Sequence, residues 1–426
     1  MAILKNLSLM TINTGVRLTL GVITLSITAR YLGIEQFGIL MYWMAIAGLL
    51  AVISNFGLGT YLLREIGKSP EKTIRTMSES LTAKLILSFL VIIAALVLTN
   101  IQNTNEKLIF LIMLMSIVIE GYTEFFCIGF RARNRFDIDT KVVIIGAIIN
   151  TSVVSMTALL SPTVLSVVIA YLISRTIVTL FAYIILSREL GLLTLCDLNT
   201  GWKNIKLNFS YAVDAVMGAL FGQVDSIVIG YFLGTSAVGL YQAGMRLFMS
   251  AAQSGVILQN VFLPKVAAGF SKGKETYIEQ SNFLILAYFA TGCLVCLMFF
   301  IAGPWVVEFI YGPSYESLKT LMPWFGFLFM LRFIAGAYGA LLTAQGMQFY
   351  RSQVALLQWI IVGIFAVILV PIYDTIGWIM ALLIGTLSLG VLYYVRIRYL
   401  STYWKDLTIL LILTMTAIIV FKDFEF

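Results

Sequence analysis

The chain has no histidine. Histidine general bases, Ser-His-Asp arrangements and His-ligated metal centres are therefore excluded. Cysteine is scarce: Cys127, Cys196, Cys293 and Cys296 are all there are. The last two have C-x-x-C spacing but sit in the apolar run Thr-Gly-Cys-Leu-Val-Cys-Leu-Met-Phe-Phe. A redox pair needs a polar, partly exposed setting, so these are read as packing groups. Charge is scarce as well. Only 12% of residues are charged, against about 25% in an average soluble protein. A soluble fold of this length could not cover its surface, which excludes a water-soluble enzyme. A phosphate-binding loop is missing too: Gly269-Phe-Ser-Lys-Gly-Lys274 is one residue short, lacks Ser or Thr after the lysine, and follows a helical pattern. Asp137-Ile-Asp139 has the D-x-D spacing of some glycosyltransferases, but it lies in a short basic loop with no nucleotide-binding domain around it. No cleavable signal peptide is expected, because the first apolar run is too long and has no small-residue cleavage site.

What is abundant is apolar sequence, 60% of the chain, with a mean hydropathy of +0.97. Runs long enough to cross a bilayer fall at 11–31, 37–63, 81–98, 108–130, 142–160 and 164–186. After a polar stretch they resume at 207–233, 238–263, 283–301, 318–342, 354–370 and 376–395. The expected fold is all-α: a polytopic membrane protein of about twelve transmembrane helices. A last run, 407–421, is either a thirteenth helix or an interfacial segment. The expected organisation is an N-terminal six-helix lobe over 1–190, a linker over 191–206, a C-terminal six-helix lobe over 207–400, and a tail over 401–426.

Basic residues set the expected orientation. One set of loops carries clusters such as Arg64, Lys68, Lys72 and Arg75, or Arg131, Arg133, Arg135 and Lys141; the opposite set carries only Arg30, Lys107 and Lys319. By the positive-inside rule the N-terminus is cytoplasmic. Lys84 is read as snorkelling to that face. The loop Arg131–Arg135 is read as a topology marker touching anionic lipid heads. The opposite loops are short, the longest being 302–317, which leaves no room for an outer catalytic domain.

The chain also repeats itself. Tyr31-Leu-Gly-Ile-Glu-Gln-Phe-Gly38 is echoed by Phe232-Leu-Gly-Thr-Ser-Ala-Val-Gly239, an offset of 201 residues. Gly21 falls on Gly222, Gly33 on Gly234 and Gly38 on Gly239. Two six-span halves must enter the membrane from the same side, so the repeats are parallel. Such repeats imply two pseudo-symmetric bundles around a central cavity and alternating access by rocking.

An ionisable side chain at mid-membrane costs roughly 2.5–3.5 kcal/mol on insertion scales, so each one is a candidate site. The first helix carries Asn13, Arg17, Gly21, Thr24 and Thr28 at helical spacing, on one face. Under the offset Asn13 matches Asp214, and Thr24 matches Asp225. This polar, small-residue face borders either a wet cleft or a close helix contact. The eighth helix aligns Gln242, Arg246, Gln253 and Asn260. Arg332 stands near mid-membrane in the tenth, with no carboxylate one turn away. Candidate substrate groups are therefore Arg17, Arg332, Arg246, Asn13, Thr24 and Gln253. Asp225, Asp214, Glu120, Glu124 and Arg175 are candidates for gating or charge balance. Glu120 and Glu124 either neutralise Arg17 or Arg175 or take part in ion coupling. Arginine's planar fork suits phosphate oxygens.

Ala29-Arg-Tyr-Leu-Gly-Ile-Glu-Gln-Phe-Gly38, Asn55-Phe-Gly-Leu-Gly59, Arg64-Glu-Ile66 and Gly129-Phe-Arg-Ala132 resemble the Wzx-type polysaccharide flippases of the multidrug/oligosaccharidyl-lipid/polysaccharide (MOP) exporter superfamily. The resemblance spans the chain. It implies a V-shaped pair of bundles in the bacterial inner membrane and no enzymatic activity. It also implies export of an undecaprenyl-pyrophosphate-linked oligosaccharide, such as an O-antigen unit for lipopolysaccharide, with cavity arginines holding the pyrophosphate; Arg17 and Arg246 sit where such residues are expected. The implied partners are the lipid-linked substrate, membrane lipid, and a polymerase and chain-length regulator of the same pathway, and no nucleic acid. No cofactor is implied beyond a coupling ion, H+ or Na+. The rival reading is a cation-coupled small-molecule or multidrug antiporter of the same superfamily.

Overall fold

The computed structural model describes residues 2–101 and 106–397. The segment 407–421, expected as a thirteenth helix or interfacial stretch, lies outside them. Among the described residues there is no strand. Also among the described residues, eight helices are long and apolar enough to cross a membrane. The all-α class and the multi-pass membrane character are thereby settled.

The helices are α1 (Ala2–Asn55), α2 (Leu58–Lys68), α3 (Thr73–Ile101), α4 (Lys107–Ala132), α5 (Phe136–Leu160), α6 (Val164–Glu189), α7 (Leu198–Leu233), α8 (Thr235–Lys272), α9 (Lys274–Ile301), α10 (Gly303–Tyr311), α11 (Glu316–Ala344) and α12 (Gln348–Ile397). Two expected runs can share one helix. The runs 11–31 and 37–63 both begin within α1, which breaks at Gly33 (φ 75°, ψ 173°). The runs 354–370 and 376–395 share α12, which breaks at Tyr373 and Asp374. Across that break α12 folds back on itself: the Tyr350 hydroxyl reaches the Leu392 carbonyl at 3.0 Å, and the Tyr393 hydroxyl reaches the Arg351 carbonyl at 3.1 Å.

The chain divides into two compact units, 1–242 and 243–426, with the boundary inside α8. In the first, α1 packs against α5, α4, α7 and α3, and α6 packs against α4 and α5. Its largest described core joins Leu62 and Ile66 of α2 to Phe125, Phe126 and Phe130 of α4 and to Leu186 of α6. In the second unit α11 is the central helix, covered by α9, α12 and α10. The polarity is that of a lipid-solvated protein. Phe89, Leu180, Leu294 and Val367 face outward, whereas Thr24, Ser88, Ser116, Asp139 and Ser174 are buried. Lys84 is buried too and does not snorkel. Its ammonium bonds the Asn55 side chain and lies 4.8 Å from the centre of the Tyr122 ring. Asn55 and Tyr122 cover the side chain, which leaves Lys84 itself about 1% exposed.

The repeated motif has a structural counterpart inside the first unit. Gly33 and Gly234 have nearly the same backbone conformation (φ 75°, ψ 173° and φ 83°, ψ 176°). That region is open essentially to glycine alone. The two turns also cross. A Cβ on Gly38 would stand 1.8 Å from the Thr235 carbonyl oxygen, and one on Gly239 would stand 2.2 Å from that of Ile34. Ile34 and Thr235 are equivalent under the repeat offset, so the contact is reciprocal.

Candidate transport cavity

Within the first unit α1, α4, α5 and α6 enclose a cavity of about 220 Å³. Helical spacing puts its polar groups there. On α4, Glu120, Glu124, Cys127 and Arg131 follow one another at intervals of four, three and four residues, and all four line the cavity. Arg17 and Gly21 border it from α1, Asn150 and Thr151 from α5, and Arg175 from α6.

The charges are paired in a definite way. Arg175 bridges to Glu120 at 3.0 Å and donates to the Ser116 hydroxyl at 2.7 Å. Its guanidinium carbon lies 4.9 Å from the centre of the Tyr171 ring. Arg131 reaches Glu124 at 3.2 Å and donates through Nε to Asp139 at 2.9 Å. Asp139 is only 2% exposed and also accepts a hydrogen bond from Asn13 at 3.2 Å. Such partners offset the cost of burying a carboxylate so deeply. Arg17 is exposed and forms no ion pair among the described residues.

The sequence candidates thus separate. Arg17, Glu120, Glu124 and Arg175 meet at one cavity. Asn13 stands behind it, tied to Asp139 on α5. Thr24 is buried against α5, its hydroxyl 2.9 Å from that of Thr151. Asp225 is buried on α7 and accepts a hydrogen bond from Tyr241 at 2.7 Å. The side chain of Asp214 lies outside the described residues. In the second unit Arg246 is half-buried and Gln253 exposed. Arg332 is exposed, although every other residue from Leu321 to Gln345 is buried or half-buried.

Sequence reading missed Arg131 as a cavity residue and Asp139 as the buried group that holds it. Arg131 read as a loop marker, yet it lies in the last turn of α4 and continues the Glu120–Glu124 stripe. Asp139 read as part of a loop, yet α5 begins at Phe136 and carries it inward. The turn is tight because Asn134 adopts a left-handed conformation (φ 58°) and the Arg135 amide bonds back to the Phe130 carbonyl at 2.9 Å.

Apolar outer faces around an inner cavity of fixed charges define an integral membrane protein with a polar compartment at membrane depth. Residues 3–270 match the family of polysaccharide biosynthesis proteins, and the chain belongs to that family. Among curated relatives, the amylovoran biosynthesis protein AmsL of Erwinia amylovora is 23% identical over 37% of this chain. The capsular polysaccharide biosynthesis protein CapF of Staphylococcus aureus is 22% identical over 44% of it. The matched stretches span 42% and 48% of those relatives. The fold is also that of solved transporters. The lipid II flippase MurJ in an inward closed conformation superposes with a TM-score of 0.68 at 15% identity, covering 91% of this chain and 87% of MurJ. An inward-facing multidrug resistance MATE family transporter of the MOP superfamily gives 0.63 at 15% identity, covering 92% and 98%. The resemblance read from the sequence holds for family and fold: the family is one of polysaccharide biosynthesis, and the fold is the one these solved transporters share.

Proposed function

We propose that this protein is a flippase. It moves an undecaprenyl-pyrophosphate-linked oligosaccharide from the cytoplasmic to the periplasmic leaflet of the bacterial inner membrane by alternating access, with its own N-terminus cytoplasmic. The observation that carries this reading is the charged cavity of the first unit in a member of a polysaccharide biosynthesis family. Its groups suit a sugar: Glu120 and Glu124 accept from hydroxyls, Arg131 and Arg175 donate to ring and hydroxyl oxygens, and Asn150 and Thr151 do both. The ion pairs lower the cost of placing these groups at membrane depth, which isolated charges would bear in full.

The pyrophosphate needs cations that are not already neutralised. Arg17 and Arg332 fit that need, being exposed and without an ion-pair partner among the described residues. Arg246 is the third group assigned to it. The lipid tail stays in the bilayer while the head crosses. Glu120 and Glu124 are the groups to which a coupling proton or Na+ would go. A polymerase and a chain-length regulator then use the exported unit.

A strain lacking the protein should strand lipid-linked repeat units on the inner leaflet, and the wild-type chain should restore surface polysaccharide. Arg17→Ala should be made and inserted normally but fail to restore display. Normal polysaccharide in the deletion strain, together with new sensitivity to cationic dyes, would overturn the flippase reading in favour of coupled antiport.

A further inference from the structure

The second unit contains a separate pocket, of about 430 Å³, where the C-terminal half of α8 meets the N-terminal half of α9. One wall is apolar and open: Phe262 and Phe283 lie 5.5 Å apart at 52°, and Phe283 and Leu286 are each 61% exposed. The other wall is polar. Lys265, Glu279 and Gln280 line it, and the Lys265 ammonium lies 5.8 Å from the centre of the Phe262 ring. Gly269 makes room for Gln280, because a Cβ there would stand 2.2 Å from the glutamine's Oε1.

The decisive feature is charge. Lys265 and Glu279 face one pocket with opposite signs, yet neither forms an ion pair among the described residues. Unpaired beside an aromatic and aliphatic wall, they match a ligand with its own separated charges and an apolar tail.

We propose that this pocket binds the headgroup of an amine-bearing zwitterionic phospholipid, of the phosphatidylethanolamine type. The phosphodiester sits on Lys265, the ammonium on Glu279, and the first acyl carbons lie along Phe262, Phe283 and Leu286. Lysine suits a phosphate as a point charge, and the two phenyl rings with Leu286 supply apolar surface for the first acyl carbons. The site is distinct from the charged cavity of the first unit and does not depend on what that cavity carries.

The test is native mass spectrometry of the purified full-length protein, titrated with short-chain phosphatidylethanolamine, phosphatidylglycerol and glycerophosphoethanolamine. One phosphatidylethanolamine adduct should be retained in preference to phosphatidylglycerol. Lys265→Gln should weaken it by about three- to fivefold, the scale of a solvent-accessible ion pair. Glu279→Gln should abolish the preference between the two lipids. The acyl-free head should bind far more weakly than the lipid. Both residues are exposed, so both variants should unfold at the wild-type temperature, and a shared fold defect is thereby separated from lost binding. Equal retention of both lipids by the wild type would overturn the proposal. So would adducts unchanged in both variants, or binding of the acyl-free head as tight as that of the lipid.

Discussion

Removing the Arg131 side chain should destabilise the protein far more than removing its charge partner. Asp139 is almost fully buried and keeps two donors, Arg131 at 2.9 Å and Asn13 at 3.2 Å. Arg131→Met removes the cation and leaves a buried carboxylate with one neutral donor. Breaking a buried pair from one side costs about 3–5 kcal/mol. Asp139→Asn should cost less. Arg131 remains 21% exposed and keeps Glu124, whose side chain is 53% exposed, and such an open pair contributes only about 0–1 kcal/mol. The double variant Arg131→Met with Asp139→Asn carries no buried charge and should recover most of the loss. The expected coupling energy is about 2–3 kcal/mol, within the range for residues in one network. The assay is thermal unfolding of the detergent-purified protein, read by retention of a monodisperse chromatographic peak after heating. The expected order is wild type and double variant highest, Asp139→Asn next, Arg131→Met lowest. If Arg131→Met were as stable as the double variant, the buried ion pair would not hold α4 to α5, and the reasoning would fail.

Two further outcomes follow from close packing and exposure. Gly38→Ala and Gly239→Ala should each lower thermal stability by about 1–3 kcal/mol, the scale of overpacking, because each new methyl meets a backbone carbonyl that cannot rotate away; Gly21→Ala, with open space around it, serves as the silent control in the same unfolding assay. Arg332→Gln should leave the unfolding temperature within about 0.5 kcal/mol of wild type, as exposed substitutions do, while abolishing polysaccharide display in a complementation assay; full display would remove Arg332 from the substrate path.

Much of this architecture could be read from local sequence, and what could not has a physical reason. Apolar runs found the membrane helices because a span must satisfy its backbone internally and therefore leaves a long apolar signature. Gly33 and Gly234 were legible as turns because both occur in the same short motif. The pairing of Glu120 with Arg175 was among the readings left open, since both lie at membrane depth and need partners. The Asn13–Asp139 bond was not legible: its members are far apart in the sequence, and a D-x-D beside four basic residues looks like a loop. Only the tight turn at Asn134 carries Asp139 into the helix. Lys84 was misread for a related reason. A lysine near a helix end snorkels by default, and nothing local announces that Asn55 and Tyr122, both distant in sequence, will cover it.

The most direct test of the account is transport itself. The purified chain should be reconstituted into vesicles containing an undecaprenyl-pyrophosphate-linked oligosaccharide on the inner leaflet, and the appearance of sugar at the outer surface followed with an impermeant lectin. Lectin-accessible sugar should rise with the amount of protein and be lost with Arg17→Ala. Accessibility no greater than in protein-free vesicles, from a protein shown to be folded and inserted, would contradict it.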